Sequence, residues 1–378
     1  MGEWKRTAVS GIASVSMGQS PDSSSVNEVE RGTPFLQGNA DFGELHPTER
    51  YWCSRPRKTA RAGNLLVSVR APVGEINVAD KEYCIGRGLA AIDFWGVNNS
   101  FSRYAFAEIL SQLHTKSQGT TFLAVGKKDI DDITLSYPVA PEEQRKIAEV
   151  LSTLDEAIDK TRALVEKYKN VKAGLMQDLL GKTVGEFSLL SELADTESGG
   201  TPSRAVPGYF GGNVPWVITS ELNDSFVVTT NECITLKGLR SSSAKVFPEG
   251  TVLMAMYGAT IGKLGILAID AATNQACCAF FCNGRIDSRY LYYRLLFMRE
   301  ELVALGSGAG QPNISQTVIK KLKIGVPSKP EQLRVVEQLT AADERIQTEH
   351  DYLAKLQNIK LGLMQDLLTN TVSVDTLL

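Results

Sequence analysis

The chain contains one seven-residue sequence twice. Gly-Leu-Met-Gln-Asp-Leu-Leu occupies residues 174–180 and again residues 362–368, an offset of 188 in a chain of 378 residues. Each copy ends a long stretch that opens with a proline followed by Glu and Gln, at Pro141 and at Pro330. This unit is far longer than the repeats of about 20–50 residues that build solenoids. The sequence therefore predicts a tandem duplication of one unit, a globular part followed by a long helix.

The stretch from Glu142 to about Leu180 has helical periodicity. Its apolar residues recur at steps of 3 and 4, with a gap at Thr161, and each has an apolar counterpart 188 positions later. These apolar positions are Ile147, Leu151, Leu154, Ile158, Val165, Tyr168, Val171, Leu175 and Leu179. A helix of roughly 38 residues is about 57 Å long. Such a helix exceeds the needs of one small domain, so we expect the two helices to pair, antiparallel if a two-fold axis relates the halves.

Gly174 and Gly362 lie inside this helical pattern, where glycine costs about 1 kcal/mol relative to alanine. Two interpretations remain open at this point. The glycines allow another helix to approach closely, or the helix bends or frays there.

Short apolar runs separated by Gly, Asn and Ser fill the remainder of each half. Residues 63–74 match residues 250–262 and predict a strand, a turn and a second strand. Further helices are predicted at Arg103–Leu113 and Ser288–Leu305. The predicted fold class is α+β, with two globular domains joined by two long antiparallel coiled-coil-like helices in an internal pseudo-two-fold repeat. The predicted boundaries are 1–140, 141–183, 184–329 and 330–378.

The composition restricts the location and chemistry of the chain more than its partners. No apolar stretch is long enough for a membrane helix, and no signal-peptide core follows Met1. Six cysteines without a CxxC pair indicate a reducing cytoplasm, and three scattered histidines argue against a His-based metal site. The net charge of −3 arises in residues 330–378, which carry 4 basic and 8 acidic side chains. Charge therefore neither supports nor excludes a nucleic-acid partner.

Several motifs of the second half resemble, in their order and spacing, a known family. They are Gly199-Gly200-Thr201-Pro202-Ser203, Val214-Pro215-Trp216-Val217, Ile234-Thr235, Gly238-Leu239, Ser241-Ser242-Ser243, Gly258-Ala259-Thr260-Ile261-Gly262-Lys263, Asn274-Gln275-Ala276 and the stretch from Pro330 to Leu368. They are similar to the specificity (S) subunits of type I restriction-modification systems, over essentially the whole chain. The first half departs more, with Gly88-Leu89-Ala90 standing where the second half has Asn274-Gln275-Ala276.

The resemblance implies a subunit that binds double-stranded DNA at a two-part asymmetric target, with one target recognition domain for each part. It also implies that the paired helices set the spacing between the parts. Two methyltransferase (modification) subunits would dock on the helices, and restriction (translocase-nuclease) subunits would join them. S-adenosylmethionine, Mg²⁺ and ATP would be bound by those partners, and this chain would hold no cofactor.

Catalytic motifs are missing from the sequence. We find no Asn/Asp-Pro-Pro-Tyr/Phe motif of adenine methyltransferases, no Walker A motif, no GxSxG and no HExxH. The run from Gly258 to Lys263 is too short for Walker A, and Leu264 follows where Ser or Thr is needed. The chain is thus predicted not to be an enzyme by itself. Two alternatives remain open, a coiled-coil adaptor or scaffold without DNA specificity and a hydrolase whose site has no recognised motif.

The candidate DNA-binding residues combine positive charge, aromatic rings and amides. In the first half the basic run supplies Arg50, Tyr51, Arg55, Arg57, Lys58 and Arg61, and Gln37 and Asn39 are candidates for base contacts. In the second half the candidates are Lys237, Arg240, Ser241, Ser242 and Lys245, then Thr219 and Ser220 for bases, and Tyr257 and Lys263 beside the glycine-rich turn. Lysine suits phosphate contacts, and arginine can also bind guanine with two hydrogen bonds. The competing interpretations are a solvated basic loop with Trp52 in the core, and a plain hairpin at the turn.

Overall fold

The computed structural model describes residues 2–116, 125–182, 185–306 and 313–376, with only the backbone described for residues 111–116. The chain divides into two compact units. Unit 1 comprises residues 1–162 and 351–378, and unit 2 comprises residues 163–350. Within the described residues, no helix has both the length and the apolar character that crossing a membrane requires.

Unit 1 contains two sheets, a separate strand pair and helices. Its elements are β1 (Trp4–Ala8), β2 (Ala13–Met17), β3 (Val26–Asn27), β4 (Thr33–Leu36), β5 (Tyr51–Cys53), β6 (Thr59–Ala60), β7 (Leu65–Ser68), β8 (Ile76–Val78), β9 (Tyr83–Ile85), β10 (Leu89–Phe94), α1 (Asn99–Lys116), α2 (Lys127–Asp131), β11 (Thr134–Pro138) and the first part of α3 (Pro141–Leu180). The sheets have the strand orders β2-β10-β7-β8 and β3-β5-β4-β9-β6, and β1 pairs with β11.

Unit 2 repeats this plan after the end of α3. Its elements are β12 (Glu186–Leu189), β13 (Ala194–Ser198), β14 (Phe210–Val217), β15 (Ser225–Val227), β16 (Cys233–Ile234), α4 (Leu236–Arg240), β17 (Val246–Phe247), β18 (Val252–Ala255), β19 (Leu264–Leu267), β20 (Ala271–Thr273), β21 (Cys277–Cys282), α5 (Ser288–Phe297), α6 (Arg299–Gly306), α7 (Gln316–Lys320), β22 (Lys323–Val326) and α8 (Lys329–Leu368), whose last part belongs to unit 1. The sheet orders are β13-β21-β18-β19-β15 and β16-β14-β20-β17, with β12 paired to β22.

The predicted duplication and the mixed α+β class are confirmed, because the strand orders match except for β3 in unit 1 and β15 in unit 2. The strand-turn-strand predictions correspond to the antiparallel pairs β7–β8 and β18–β19. The helix predicted at Arg103–Leu113 lies inside the longer α1. The helix predicted at Ser288–Leu305 is interrupted at Met298, where α5 ends and α6 begins.

The repeated heptapeptide packs into the core of each unit. In unit 1, Leu367 at the end of α8 lies in one apolar cluster with Ile147 and Leu151 near the start of α3. In unit 2, Leu180 at the end of α3 lies in one cluster with Val335 and Leu339 near the start of α8. Within each unit the start of one long helix therefore lies beside the end of the other. This arrangement confirms the predicted antiparallel pairing, because a start that lies beside an end requires opposite helix directions.

The predicted apolar seam is wrong near the two glycines. Val171 and its counterpart Ile359 are exposed, with 55% and 40% of their surface accessible. A Cβ added at Gly174 or Gly362 would meet nothing within 4 Å, so no described element of the chain approaches closely there. Fraying is also wrong, because both helices continue past the glycines to Leu180 and Leu368. The inward position of this turn belongs instead to Lys172, whose Nζ lies 2.5 Å from Asp343 Oδ1. The apolar seam resumes at Leu175 and Leu179, which pack against the core of unit 2.

Candidate nucleic-acid interface

In each unit, two parallel strands end side by side at one edge of a sheet. β4 and β9 pair Leu36 with Ile85, and β14 and β20 pair Val217 with Thr273. The loops that follow parallel strands start at the same edge, so their side chains are brought together. We call this edge, with the adjoining loops, the strand-end surface. It comprises residues 18–20, 37–39, 50, 58, 70 and 86–88 in unit 1, and residues 199–201, 218–220, 245, 257 and 274–276 in unit 2.

The backbone of the strand-end surface is the same in both units. Three backbone hydrogen bonds, each from an amide to a carbonyl oxygen, recur at equivalent places. In unit 1 they run from Gln19 to Ile85 (2.9 Å), from Gly86 to Leu36 (2.8 Å) and from Val69 to Gly88 (2.9 Å). Their counterparts in unit 2 run from Gly200 to Thr273 (2.9 Å), from Asn274 to Val217 (3.0 Å) and from Met256 to Ala276 (2.9 Å). These bonds make Arg87 of unit 1 the counterpart of Gln275 of unit 2, and Arg70 the counterpart of Tyr257.

The same bonds correct one prediction from the sequence. Gly86-Arg87-Gly88, not Gly88-Leu89-Ala90, is the counterpart of Asn274-Gln275-Ala276. Leu89 begins the buried strand β10, and Cys277 begins the equivalent strand β21. The correspondence predicted from the sequence is therefore displaced by two positions. A displacement of two preserves the inward and outward alternation of a strand, which is why the residue pattern alone did not reveal it.

Glycine is needed where these backbones meet. A Cβ on Gly18 would lie 2.1 Å from the carbonyl oxygen of Gly86, and a Cβ on Gly199 would lie 2.0 Å from that of Thr273. A Cβ on Gly88 would lie 2.9 Å from the carbonyl oxygen of Gln37. The glycines of the family-like motif therefore serve the close approach of three chain segments, which shapes the surface.

The strand-end surface of unit 1 contains a recess of about 540 Å³. Its polar lining includes Ser20, Gln37, Asn39, Arg70 and Arg87. Both arginines are exposed, and in the described part of the chain neither forms an ion pair with a carboxylate. Asn39 donates from Nδ2 to Glu75 Oε2 at 2.9 Å. The backbone N–H of Gln37 donates to Asp41 Oδ2 at 2.8 Å. The recess thus presents the guanidinium donors of Arg70 and Arg87 on a fixed backbone.

The predicted basic run of unit 1 is split by the sheet. Its charged members and Tyr51 are exposed, whereas Trp52 is half-buried. Arg50 precedes the strand residue that pairs with Phe35, and the Lys58 carbonyl accepts from the Ile85 amide at 2.9 Å, so both lie at the strand-end surface. Arg61 follows β6 at the opposite edge of the sheet, and Arg55 leaves β5 there. Arg57 is ion-paired with Asp22 at 2.7 Å.

The predicted residues of unit 2 are also only partly gathered. Thr219 and Ser220 follow β14, and Lys245 lies level with Thr273, so these three and Tyr257 share the strand-end surface. Lys245 is ion-paired with Glu197 at 2.8 Å. The helix α4, which contains Lys237 and Arg240, begins at the opposite edge, because β16 runs antiparallel to β14. Ser241 and Ser242 follow the helix and lead back to Ser243, which lies against Gly200 of the strand-end surface. Lys263 is a half-buried residue after the turn.

Arg70, Arg87, Thr201 and Gln275 also lie at the strand-end surface, and the sequence did not predict them as candidates. Thr201 Oγ1 donates to Gln275 Oε1 at 2.5 Å, which orients that amide at the surface of unit 2. The available signal was the glycine on each side of Arg87, which indicates tight backbone packing around an exposed side chain. Among the described residues, no three His, Cys, Asp or Glu side chains are grouped to hold a metal ion.

A second duplicated arrangement, here called the clasp, joins each globular part to both long helices. In unit 1, Tyr104 Oη donates to Asp155 Oδ2 at 2.7 Å, and Lys360 Nζ lies 2.5 Å from Asp155 Oδ1. In unit 2, Tyr293, Asp343 and Lys172 repeat these contacts at 2.8 and 2.5 Å. The carboxylate is on α3 in unit 1 and on α8 in unit 2, as the antiparallel duplication requires. Burial, together with the bond to aspartate, raises the pKa of both tyrosines, so each stays a hydrogen-bond donor.

The glutamine after each Pro-Glu pair fixes the start of its helix. Gln144 Oε1 accepts from the Asn98 amide at 2.7 Å, and Gln332 Oε1 accepts from the Asp287 amide at 2.8 Å. Each of these amides belongs to the residue just before α1 or α5. Both glutamines are buried, at 3% and 1% exposure, so the shared Glu-Gln motif is a structural anchor.

Comparison with known proteins gives a consistent family. The family described as "Type I restriction modification DNA specificity domain" matches residues 1–167 and 185–358. The putative type I restriction enzyme MjaX specificity subunit of Methanocaldococcus jannaschii is 40% identical over 166 residues, which cover 43% of this chain and 39% of that subunit. The MjaVIII specificity subunit of the same organism is 27% identical over 304 residues, 71% of this chain and 68% of the relative.

A solved structure has the same fold. The crystal structure of a type I restriction-modification system S subunit from M. genitalium matches with a TM-score of 0.66 at 15% identity, over 97% of this chain and 96% of that one. The family match extends over both units and includes both strand-end surfaces. The chain therefore belongs to the type I restriction modification DNA specificity domain family.

Proposed function

We propose that this chain is a DNA-recognition subunit that reads a two-part target, one part through the strand-end surface of each unit. One observation carries the proposal. The same backbone framework occurs twice and presents different side chains, Arg70 and Arg87 in one copy and Tyr257 and Gln275 in the other. Contacts to bases specify sequence, so two copies with different side chains suit two different half-targets. The family membership supports this function, and the competing scaffold role would not require two such surfaces.

We further propose that catalysis resides in partner subunits, which bind S-adenosylmethionine, Mg²⁺ and ATP, while this chain has no active site. Two methyltransferase subunits would dock on the long helices, and restriction subunits would join them in the cytoplasm. The exposed Val171 and Gly174, repeated at Ile359 and Gly362, support two equivalent docking positions for one kind of partner. The six free cysteines suit a reducing compartment.

Mapping methylated adenines across the genome, with and without this chain, tests the proposal. The expected result is one two-part motif whose methylation disappears when the chain is deleted and returns when it is restored. Unchanged methylation, in cells that retain an adenine methyltransferase partner, would favour the scaffold role instead.

A binding measurement on the full chain tests the DNA surface itself. Lys58 and Lys245 occupy equivalent strand positions, as expected for contacts to phosphates, which are the same in every sequence. We expect Lys58→Ala to weaken binding to all duplexes alike and to reduce the salt dependence by about one counterion. Lys5→Ala, an exposed lysine on β1, is the matched control and should change neither quantity. Equal effects of both substitutions would contradict the assignment.

A further inference from the structure

We propose that the recess of unit 1 reads a guanine through Arg70 and Arg87, and that the equivalent surface of unit 2 reads an adenine through Gln275. This inference rests on the proposed DNA recognition and adds the bases and the residues that select them. It begins from the residue correspondence that the shared backbone hydrogen bonds establish between the two units.

The first argument separates phosphate contacts from base contacts. A residue that binds the DNA backbone should keep its charge in both copies, because phosphates carry no sequence information. Lys58 and Lys245 fit this expectation, since both stay cationic at one register position. The other two pairs do not keep their charge, because Arg87 corresponds to Gln275 and Arg70 corresponds to Tyr257. Side chains that change while the backbone stays the same mark the positions that distinguish one half-target from the other.

The second argument concerns the donors in unit 1. A guanidinium offers paired N–H donors in a planar fork, and guanine presents the acceptors O6 and N7 in the major groove. In the described residues no carboxylate ion-pairs with Arg70 or Arg87, so their donors remain available for a ligand. The recess volume of about 540 Å³ and its open position allow a base edge to approach.

The third argument concerns the amide in unit 2. Gln275 Oε1 accepts a hydrogen bond from Thr201 at 2.5 Å, which fixes the orientation of the amide. Oε1 retains a second lone pair, and the Nε2 donors face no partner among the described residues. One donor and one acceptor in this geometry match the N7 and N6 positions of adenine. The exposed ring of Tyr257 adds an apolar surface beside it.

Selection of bound duplexes from a randomised DNA pool by the full chain tests the inference. The wild-type chain should enrich a two-part motif with a guanine in one part and an adenine in the other. Arg87→Gln and Arg70→Gln should each reduce the preference for guanine by about 5-fold or more, with the other part unchanged. The matched control Arg6→Gln removes an exposed charge from β1 of the same unit and should leave both parts unchanged.

Arg87→Lys separates base reading from charge. Lysine keeps the positive charge and lacks the fork of donors, so guanine preference should fall while the salt dependence stays. Uniform weakening of all sequences, or an intact guanine preference in the glutamine variants, would overturn the inference while leaving DNA recognition in place. Failure of the wild-type chain to enrich any sequence would overturn both the inference and the proposed function.

Discussion

Asp224 links three elements of unit 2 through one residue. It adopts a left-handed backbone conformation with φ of 60°. Its carboxylate accepts from the Leu264 amide at 3.0 Å and from Arg299 Nη1 at 2.7 Å, and its carbonyl accepts from Tyr292 Oη at 2.6 Å. Burial opposes ionisation of Asp224, but the Arg299 guanidinium and the Leu264 amide outweigh it, and the pKa is lowered. The Asp224 carboxylate thus connects the turn after β14 to β19 and α6, and its carbonyl connects the same turn to α5.

We predict that Asp224→Asn lowers the stability of unit 2 by about 1–2 kcal/mol at pH 7. Asparagine tolerates the left-handed conformation, so the loss isolates the charge. A lowered pKa in the folded state contributes stability that is fully present above the unfolded value of about 3.9, decreases below that value and is lost as the pH falls through the lower folded pKa. Urea midpoints at pH 7, 5, 4 and 3 should therefore converge for the two proteins at the acid end. A constant difference down to pH 3 would contradict this account.

Gly174 and Gly362 are exposed helix positions with free space around them. We predict that Gly174→Ala raises the stability of the isolated chain by about 0.5–1 kcal/mol, because alanine loses less backbone entropy. A rise in the thermal midpoint checks this, and Gly362→Ala should give the same rise. A lower midpoint would mean that the glycine serves the packing of the chain itself and not the docking of a partner.

At the scale of elements, the clasps determine how α3 and α8 pair. The apolar contacts along two long helices tolerate a shift, whereas Asp155 with Tyr104 and Lys360 requires one register. The clasp side chains of unit 1 are largely covered, with 24% of Asp155 and 29% of Lys360 exposed. Polar groups of this kind specify register in paired helices. Their repetition in unit 2 fixes the same pairing from the other end of each helix.

We predict that Asp155→Ala destabilises the chain by about 1.5–3 kcal/mol, because it leaves partly buried donors unpaired. Glu156→Ala is the matched control on the next residue of the same helix. Glu156 forms only an exposed pair with Lys160, with side chains 70% and 78% accessible, so its loss should cost less than about 0.5 kcal/mol. Denaturation midpoints compare the two variants, and equal shifts would rule out a special role for the clasp.

At the scale of the whole molecule, the duplication separates two sites that evolved different side chains on one backbone. Arg87 belongs to unit 1 and Gln275 to unit 2. Effects at sites without shared partners add within about 0.3–0.5 kcal/mol. The predicted role of helix length in setting the spacing of the half-targets stays a prediction.

Combining Arg87→Gln with Gln275→Arg in one chain tests this independence. We predict that each substitution changes its own part of the selected motif as it does alone, so that the preference ratios multiply. The same DNA selection measures the single and double variants. A double variant whose preferences differ from the product of the single effects would show that the two units do not read DNA independently.

Much of the fold was predictable because its signals are local or repeated. The helical period around Ile147 and Leu151, the Pro-Glu-Gln start and the repeated heptapeptide defined both helices and the duplication. The exposed face at Val171 was not predictable, because the inward position of that turn is taken by Lys172, whose partner Asp343 is distant in sequence. The basic run from Arg50 to Arg61 looked continuous in sequence, yet two strands carry its ends to opposite edges of one sheet.

By itself, the sequence determined the duplication, the long helices, the absence of catalytic motifs and the family, because these depend on periodicity and on residue order. Only the tertiary structure decided which side chains meet. Arg70 and Arg87 join Gln37 through the pairing of β4 with β9 and of β7 with β10, and Asp155 meets Lys360 across two helices. Strand register and helix register are set by contacts between distant segments, and a shift of two residues that no local pattern detects would assemble a different surface.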